Sequence, residues 1–92
     1  MRLLHMVFPF KNKRAVKAPT LAQLGKVGEE FGEAHDAVSR WHIGLDTEVH
    51  ACEELLDLML ASEALFCKFQ EDAQKEAVRR VIEKGAERGD WV

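Results

Sequence analysis

The sequence predicts an all-α fold. Three observations carry this: apolar residues recur at helical spacing over three stretches, nothing alternates apolar and polar as a strand does, and no Gly or Pro interrupts residues 45–84. With 92 residues, 47% hydrophobic and 32% charged, the chain has the composition of one soluble globular domain. The expected architecture is a helical hairpin plus a third helix, with a four-helix-bundle core completed by dimerisation. Residues 1–19 form an N-terminal arm and residues 20–89 the helical core.

Pro9 and Pro19 bracket the basic arm, so no long helix crosses it unbroken. Met1–Phe8 is read as a short helix or an extended apolar strip whose Leu3, Leu4, Val7 and Phe8, with Phe10, need cover. The first long helix starts at Thr20, where Pro19 precedes it and Thr20 with Gln23 has capping-box spacing. Leu21, Leu24, Val27, Phe31, Ala34, Val38 and Trp41 then form its apolar stripe, and Gly44 ends it. The second helix begins at Asp46 or Thr47, both good N-caps. Its apolar positions, Val49 to Phe69, cover well over half its circumference, more than one small domain can bury. This surplus is the reason to expect self-association. The polar cluster Gln70–Asp72 breaks the chain before a third helix carrying Ala73, Ala77, Val78, Val81 and Ile82, and Gly85 and Gly89 end it. Gly25, Gly28 and Gly32 lack strand–turn–helix context, so they are read as sites of close helix packing rather than as a phosphate loop.

The net charge is −3, and its distribution is uneven. Residues 1–28 hold six Lys/Arg and no acid; residues 29–63 hold ten Asp/Glu and only Arg40; residues 64–92 hold six of each. An acidic middle repels a nucleic-acid backbone unless a cation intervenes, which argues against a DNA-binding protein. No apolar run reaches the ~20 residues of a membrane span, and no signal-peptide pattern opens the chain, so a cytoplasmic location is expected. Cys52 and Cys67 are too few for a disulfide scaffold and are read as reduced core thiols.

Two acidic clusters carry the chemistry. In Glu29-Glu30-Phe31-Gly32-Glu33, Glu30 and Glu33 fall roughly 60° and 120° round the helix from Val27, flanking the apolar stripe. In Glu53-Glu54-Leu55-Leu56-Asp57, the three acids share the polar gap of an otherwise apolar helix. Either cluster alone is an ordinary solvated face. Should the two helices pack as a hairpin, the carboxylates converge, and each close pair repels by up to ~4 kcal/mol at an effective dielectric near 20. A divalent cation offsets that cost. Hard oxygen ligands without Cys or His suit Mg²⁺, with Mn²⁺ as the alternative. A Glu-x-x-His di-iron motif is absent. His35, His42 and His50 are scattered and are assigned to surface or cap roles.

These elements resemble a known family. The run Gln23–Glu33 is similar to the K-x-x-E-E-x-x-E element of the MazG-like all-α nucleoside triphosphate pyrophosphohydrolases, and Glu54-Leu55-Leu56-Asp57 to their E-x-x-D partner, with twenty residues between Glu33 and Glu54. Lys84-Gly85-Ala86-Glu87-Arg88-Gly89 resembles the K-N-x-x-R-G ending of small members, with Gly85 in place of Asn. The resemblance covers Leu21–Gly89. It implies that Glu30, Glu33, Glu54 and Asp57 bind Mg²⁺, that Glu29 orients the attacking water, and that Lys26, Lys84 and Arg88 touch phosphate. Trp41 stacks on a base or caps the core. The implied reaction converts a (d)NTP to the monophosphate and pyrophosphate. The alternatives are phosphoribosyl-ATP pyrophosphohydrolase and a non-enzymatic helical dimer that acts as a binding module.

Overall fold

The computed structural model describes residues 17–91; the expectations placed on residues 1–16 lie outside them. Three helices make up the described residues: α1, Thr20–His42; α2, Glu48–Phe66; and α3, Glu71–Arg88. There is no strand among them, as the apolar spacing predicts.

The boundaries follow from local chemistry. Thr47 is the N-cap of α2, its hydroxyl accepting from the His50 N–H at 3.1 Å, while Asp46 Oδ1 accepts from the Thr47 N–H at 2.7 Å. Gly44 and Gly89 adopt φ of 80° and 75°, which only glycine takes up without a Cβ penalty. Each closes a Schellman motif: Gly44 N and Leu45 N bond back to the carbonyls of Trp41 and Arg40, and Gly89 N and Asp90 N to those of Ala86 and Gly85. Gly85 therefore lies inside the last turn of α3 and only Gly89 ends that helix. The break before α3 falls at residues 67–70, just ahead of Glu71.

The capping box expected at Thr20 does not form. Pro19 is the N-cap, with no side-chain cap bond. Gln23 instead turns inward and donates from Nε2 to the Ala61 carbonyl at 3.0 Å. Its amide is 3% exposed, and a buried amide needs a partner, which α2 supplies.

The helix packing is concentrated between α1 and α2; α3 packs extensively against neither. The α1–α2 interface is built from small residues, with Ala34, Ala37, Ala51 and Ala61 as the buried apolar set. This corrects the expected stripe of α1. The buried face runs through Gln23, Glu30, Ala34 and Ala37, Val27 and Val38 are half-buried at its edge, and Leu21, Leu24 and Phe31 are exposed. The physical reason is that, among the described residues, α1 packs extensively against one helix only, and alanines let the two backbones approach. The larger side chains face away from that contact. Gly25, Gly28 and Gly32 share this open face: a Cβ at any of them would meet nothing within 4 Å, so they mark no close packing among the described residues. Both cysteines are exposed rather than in the core. A polar clasp joins the start of α1 to the end of α2, where Lys68 Nζ donates to the Ala18 carbonyl at 2.5 Å.

Candidate functional site

The α1–α2 hairpin brings the two acidic clusters together. Glu30 points into the interface and Glu33, three residues on, sits at its rim; Glu54 meets them from α2. One carboxylate oxygen from each of the three lies within 4.8 Å of the others. Glu30 is buried at 6% exposure, Glu54 half-buried and Glu33 exposed.

Each inner carboxylate has one oxygen engaged and one orphaned. Lys26 Nζ lies 2.8 Å from Glu30 Oε1, and His50 Nε2 lies 3.3 Å from Glu54 Oε1. Glu30 Oε2 and Glu54 Oε2 are both buried without a hydrogen-bond partner. A buried carboxylate oxygen without a donor is costly, and two of them at the meeting point of three acids leave a gap in the charge balance. The electrostatics agree. The Glu33 carboxyl is held above its usual range, first by the charge of Glu30, then by partial desolvation, then by the charge of Glu54. Three carboxylates within reach of one another, two of which also carry an unsatisfied oxygen, are a donor set that suits a hard divalent cation.

The supporting residues are equally specific. Lys26 is drawn to the cluster by its hydrogen bond to Glu30 and by the surrounding acids, which raise its pKa, and it also lies 3.8 Å from Glu29. On α2, His50 Nδ1 is 2.6 Å from Asp46 Oδ2, and Arg40 Nε, from the end of α1, is 3.9 Å from the same oxygen. The bond to Asp46, reinforced by its charge and that of Glu54, raises the His50 pKa; the same bond and the Thr47 N–H lower that of Asp46. His50 had been assigned a surface or cap role, and its link to Glu54 is the feature that sequence reasoning missed. Part of the signal was present: His50 and Glu54 lie four residues apart, one turn along α2, and Asp46 stands just before the Thr47 cap.

The other expected residues are less gathered. Asp57 is exposed and is not in the three-carboxylate group, because it lies roughly 60° further round α2 than Glu54. Glu29 is exposed on the outer side of Lys26. Trp41 is 41% exposed, roughly 16 Å along α1 from Glu30. Lys84 and Arg88 sit on α3, which does not pack along the hairpin, and Arg88 pairs with Asp90 at 3.1 Å. Gly85 has a local role: the Trp91 indole lies against it and donates from Nε1 to the Ile82 carbonyl at 2.7 Å. A side chain at position 85 would occupy that space, which is why Asn cannot stand there in this arrangement.

Comparison with family models, with curated proteins and with solved structures finds no match to this chain. Among the described residues, no helix is long and apolar enough to cross a membrane.

Proposed function

We propose that this protein is a Mg²⁺-dependent nucleotide pyrophosphohydrolase that cleaves a (d)NTP to the monophosphate and pyrophosphate. The observation that supports it most is the pair of orphaned buried oxygens, Glu30 Oε2 and Glu54 Oε2, beside Glu33. A solvated acidic face has no reason to bury carboxylate oxygens without donors. The spacing of the two acidic elements adds the resemblance to MazG-like enzymes.

In this reading Glu30, Glu33 and Glu54 hold the cation, and Asp57, one turn beyond Glu54, completes the set. When bound, the cation neutralises the triphosphate and lowers the pKa of the attacking water. Lys26 restrains Glu30 through Oε1 and so leaves Oε2 turned toward the cluster. Glu29, exposed and one residue before Glu30, is the candidate that orients the attacking water. Trp41 is the surface for the base, and Lys84 and Arg88 are the cations for the distal phosphates.

The protein works as a homodimer or a dimer of dimers in the same reading. Leu21, Leu24 and Phe31 on α1, Val49, Leu55 and Met59 on α2, and Val81 and Ile82 on α3 are all exposed. So much large apolar surface beside an alanine core suits a second copy. Sedimentation equilibrium at micromolar concentration should give a dimer or larger; a monomer would remove that part of the reading.

The decisive experiment is pyrophosphate release over a panel of NTPs and dNTPs with Mg²⁺, with and without EDTA. Pyrophosphate and a monophosphate are expected, and EDTA should abolish both. Hydrolysis confined to phosphoribosyl-ATP would move the assignment to histidine synthesis. Inorganic phosphate with a diphosphate left behind would contradict the reading, and no turnover of any triphosphate would favour a binding module.

A further inference from the structure

His50 and Glu54 lie one turn apart on α2, and Asp46 stands just before the Thr47 cap of that helix. The Asp46 carboxylate is fixed at both oxygens: Oδ1 accepts from the Thr47 N–H at 2.7 Å, and Oδ2 is 2.6 Å from His50 Nδ1. The His50 backbone is fixed as well, because its N–H donates to the Thr47 hydroxyl at 3.1 Å. The imidazole is therefore held from both ends, and its far nitrogen, Nε2, lies 3.3 Å from Glu54 Oε1. Glu54 Oε2 is the buried oxygen without a partner, in the group with Glu30 and Glu33.

We propose that His50, locked by Asp46 and the Thr47 cap, is the positioning residue that holds Glu54 by Oε1 and leaves Oε2 to the cation. The inference rests on the cation-binding reading above. Lys26 plays the matching part on α1: it takes Oε1 of Glu30 at 2.8 Å, and Glu30 Oε2 is likewise left without a partner. Each inner carboxylate thus has a basic residue four positions before it on its own helix. The difference is rigidity. Lys26 is a flexible chain with no anchor beyond the acids it meets, whereas His50 is braced at its other nitrogen. Outer partners that orient a ligating group typically change metal affinity by about 10–100-fold when removed.

The test is Mn²⁺ binding without nucleotide, followed by electron paramagnetic resonance of the free ion, on wild type, His50→Ala and His50→Gln. Thermal melts of all three are recorded alongside. His50→Ala should weaken Mn²⁺ binding about 10-fold. His50→Gln, whose amide can still donate to Glu54 one turn away, should bind within about 3-fold of wild type. Wild-type affinity in His50→Ala would overturn the positioning role and leave the cation reading standing. A lower melting temperature in His50→Ala with unchanged Mn²⁺ affinity would likewise make His50 a helix-stabilising neighbour only. Failure of wild type itself to bind Mn²⁺ would overturn both.

Discussion

The α1–α2 hairpin and α3 use charge in opposite ways. In α3 the ion pairs lie mostly within the helix: Glu76 meets Arg79 and Arg80, Arg79 also meets Glu83, and Lys75 meets Glu71. Arg79 and Arg80 hold the Glu76 carboxyl down at about 2. Such exposed neighbours stabilise a helix locally and require nothing from the rest of the chain. In the hairpin the polar groups need the tertiary fold. Gln23 needs the Ala61 carbonyl, and Glu30, buried, and Glu54, half-buried, meet across the hairpin with a buried oxygen each to spare. A helix whose charges are locally balanced needs no partner for them. A pair of helices that buries unbalanced charge leaves that charge to be offset, by a proton, as the raised Glu33 carboxyl shows, or by a bound cation.

Four experiments can break or sharpen this contrast. The largest effect is expected from Glu54→Gln. It should lower turnover at saturating Mg²⁺ by at least ~100-fold, the scale on which one preorganised electrostatic group acts. The metal-free melting temperature should hold or rise, because a repulsive charge is lost while an acceptor for His50 remains. Wild-type turnover would remove Glu54 from the site.

Next come the interface alanines. Ala34→Leu should cost about 1–3 kcal/mol by overpacking the hairpin. Ala77→Leu, on the exposed surface of α3, should stay within about 0.5 kcal/mol. Urea denaturation of both variants decides the point, and equal costs would mean that α3 is packed in solution as tightly as the hairpin.

A smaller, pH-dependent effect belongs to Glu33. Its folded pKa is raised, so the folded state holds the proton more tightly than the unfolded chain does. That contribution is fully present below the ordinary glutamate value of ~4.3 and is lost as pH rises through the raised one. The metal-free protein should therefore melt progressively lower across that window, less so in Glu33→Gln. Added Mn²⁺ should restore stability above it, since the cation takes the place of the proton. A melting profile identical in wild type and Glu33→Gln would show that Glu33 does not feel Glu30 and Glu54.

The smallest effect is local to α3. Gly85→Ala should displace the Trp91 indole and shift its emission to the red, read in a Trp41→Phe background. Helix content should not fall, because alanine favours a helix interior by roughly 0.5–1 kcal/mol over glycine. Unchanged emission would mean that Trp91 does not rest on Gly85.

Apolar spacing was enough to establish three helices, and individual residues placed their ends: Thr47 as a cap, Gly44 and Gly89 as stops. These features are short-range, since a cap or a left-handed glycine acts within one turn of its own helix. The placing of Glu30 and Glu33 on one helix face was legible for the same reason. Tertiary structure alone decided which face of α1 is inside. The spacing pointed to Leu21, Leu24 and Phe31, yet α1 buries Gln23, Glu30, Ala34 and Ala37, because alanines permit close approach and α2 offers Gln23 a carbonyl. It also decided that Glu54 joins Glu30 and Glu33 while Asp57 does not, and that a histidine stands behind the joining acid. Spacing along one helix fixes which residues share a face. Only a second helix, packed at a particular rotation, determines what that face meets.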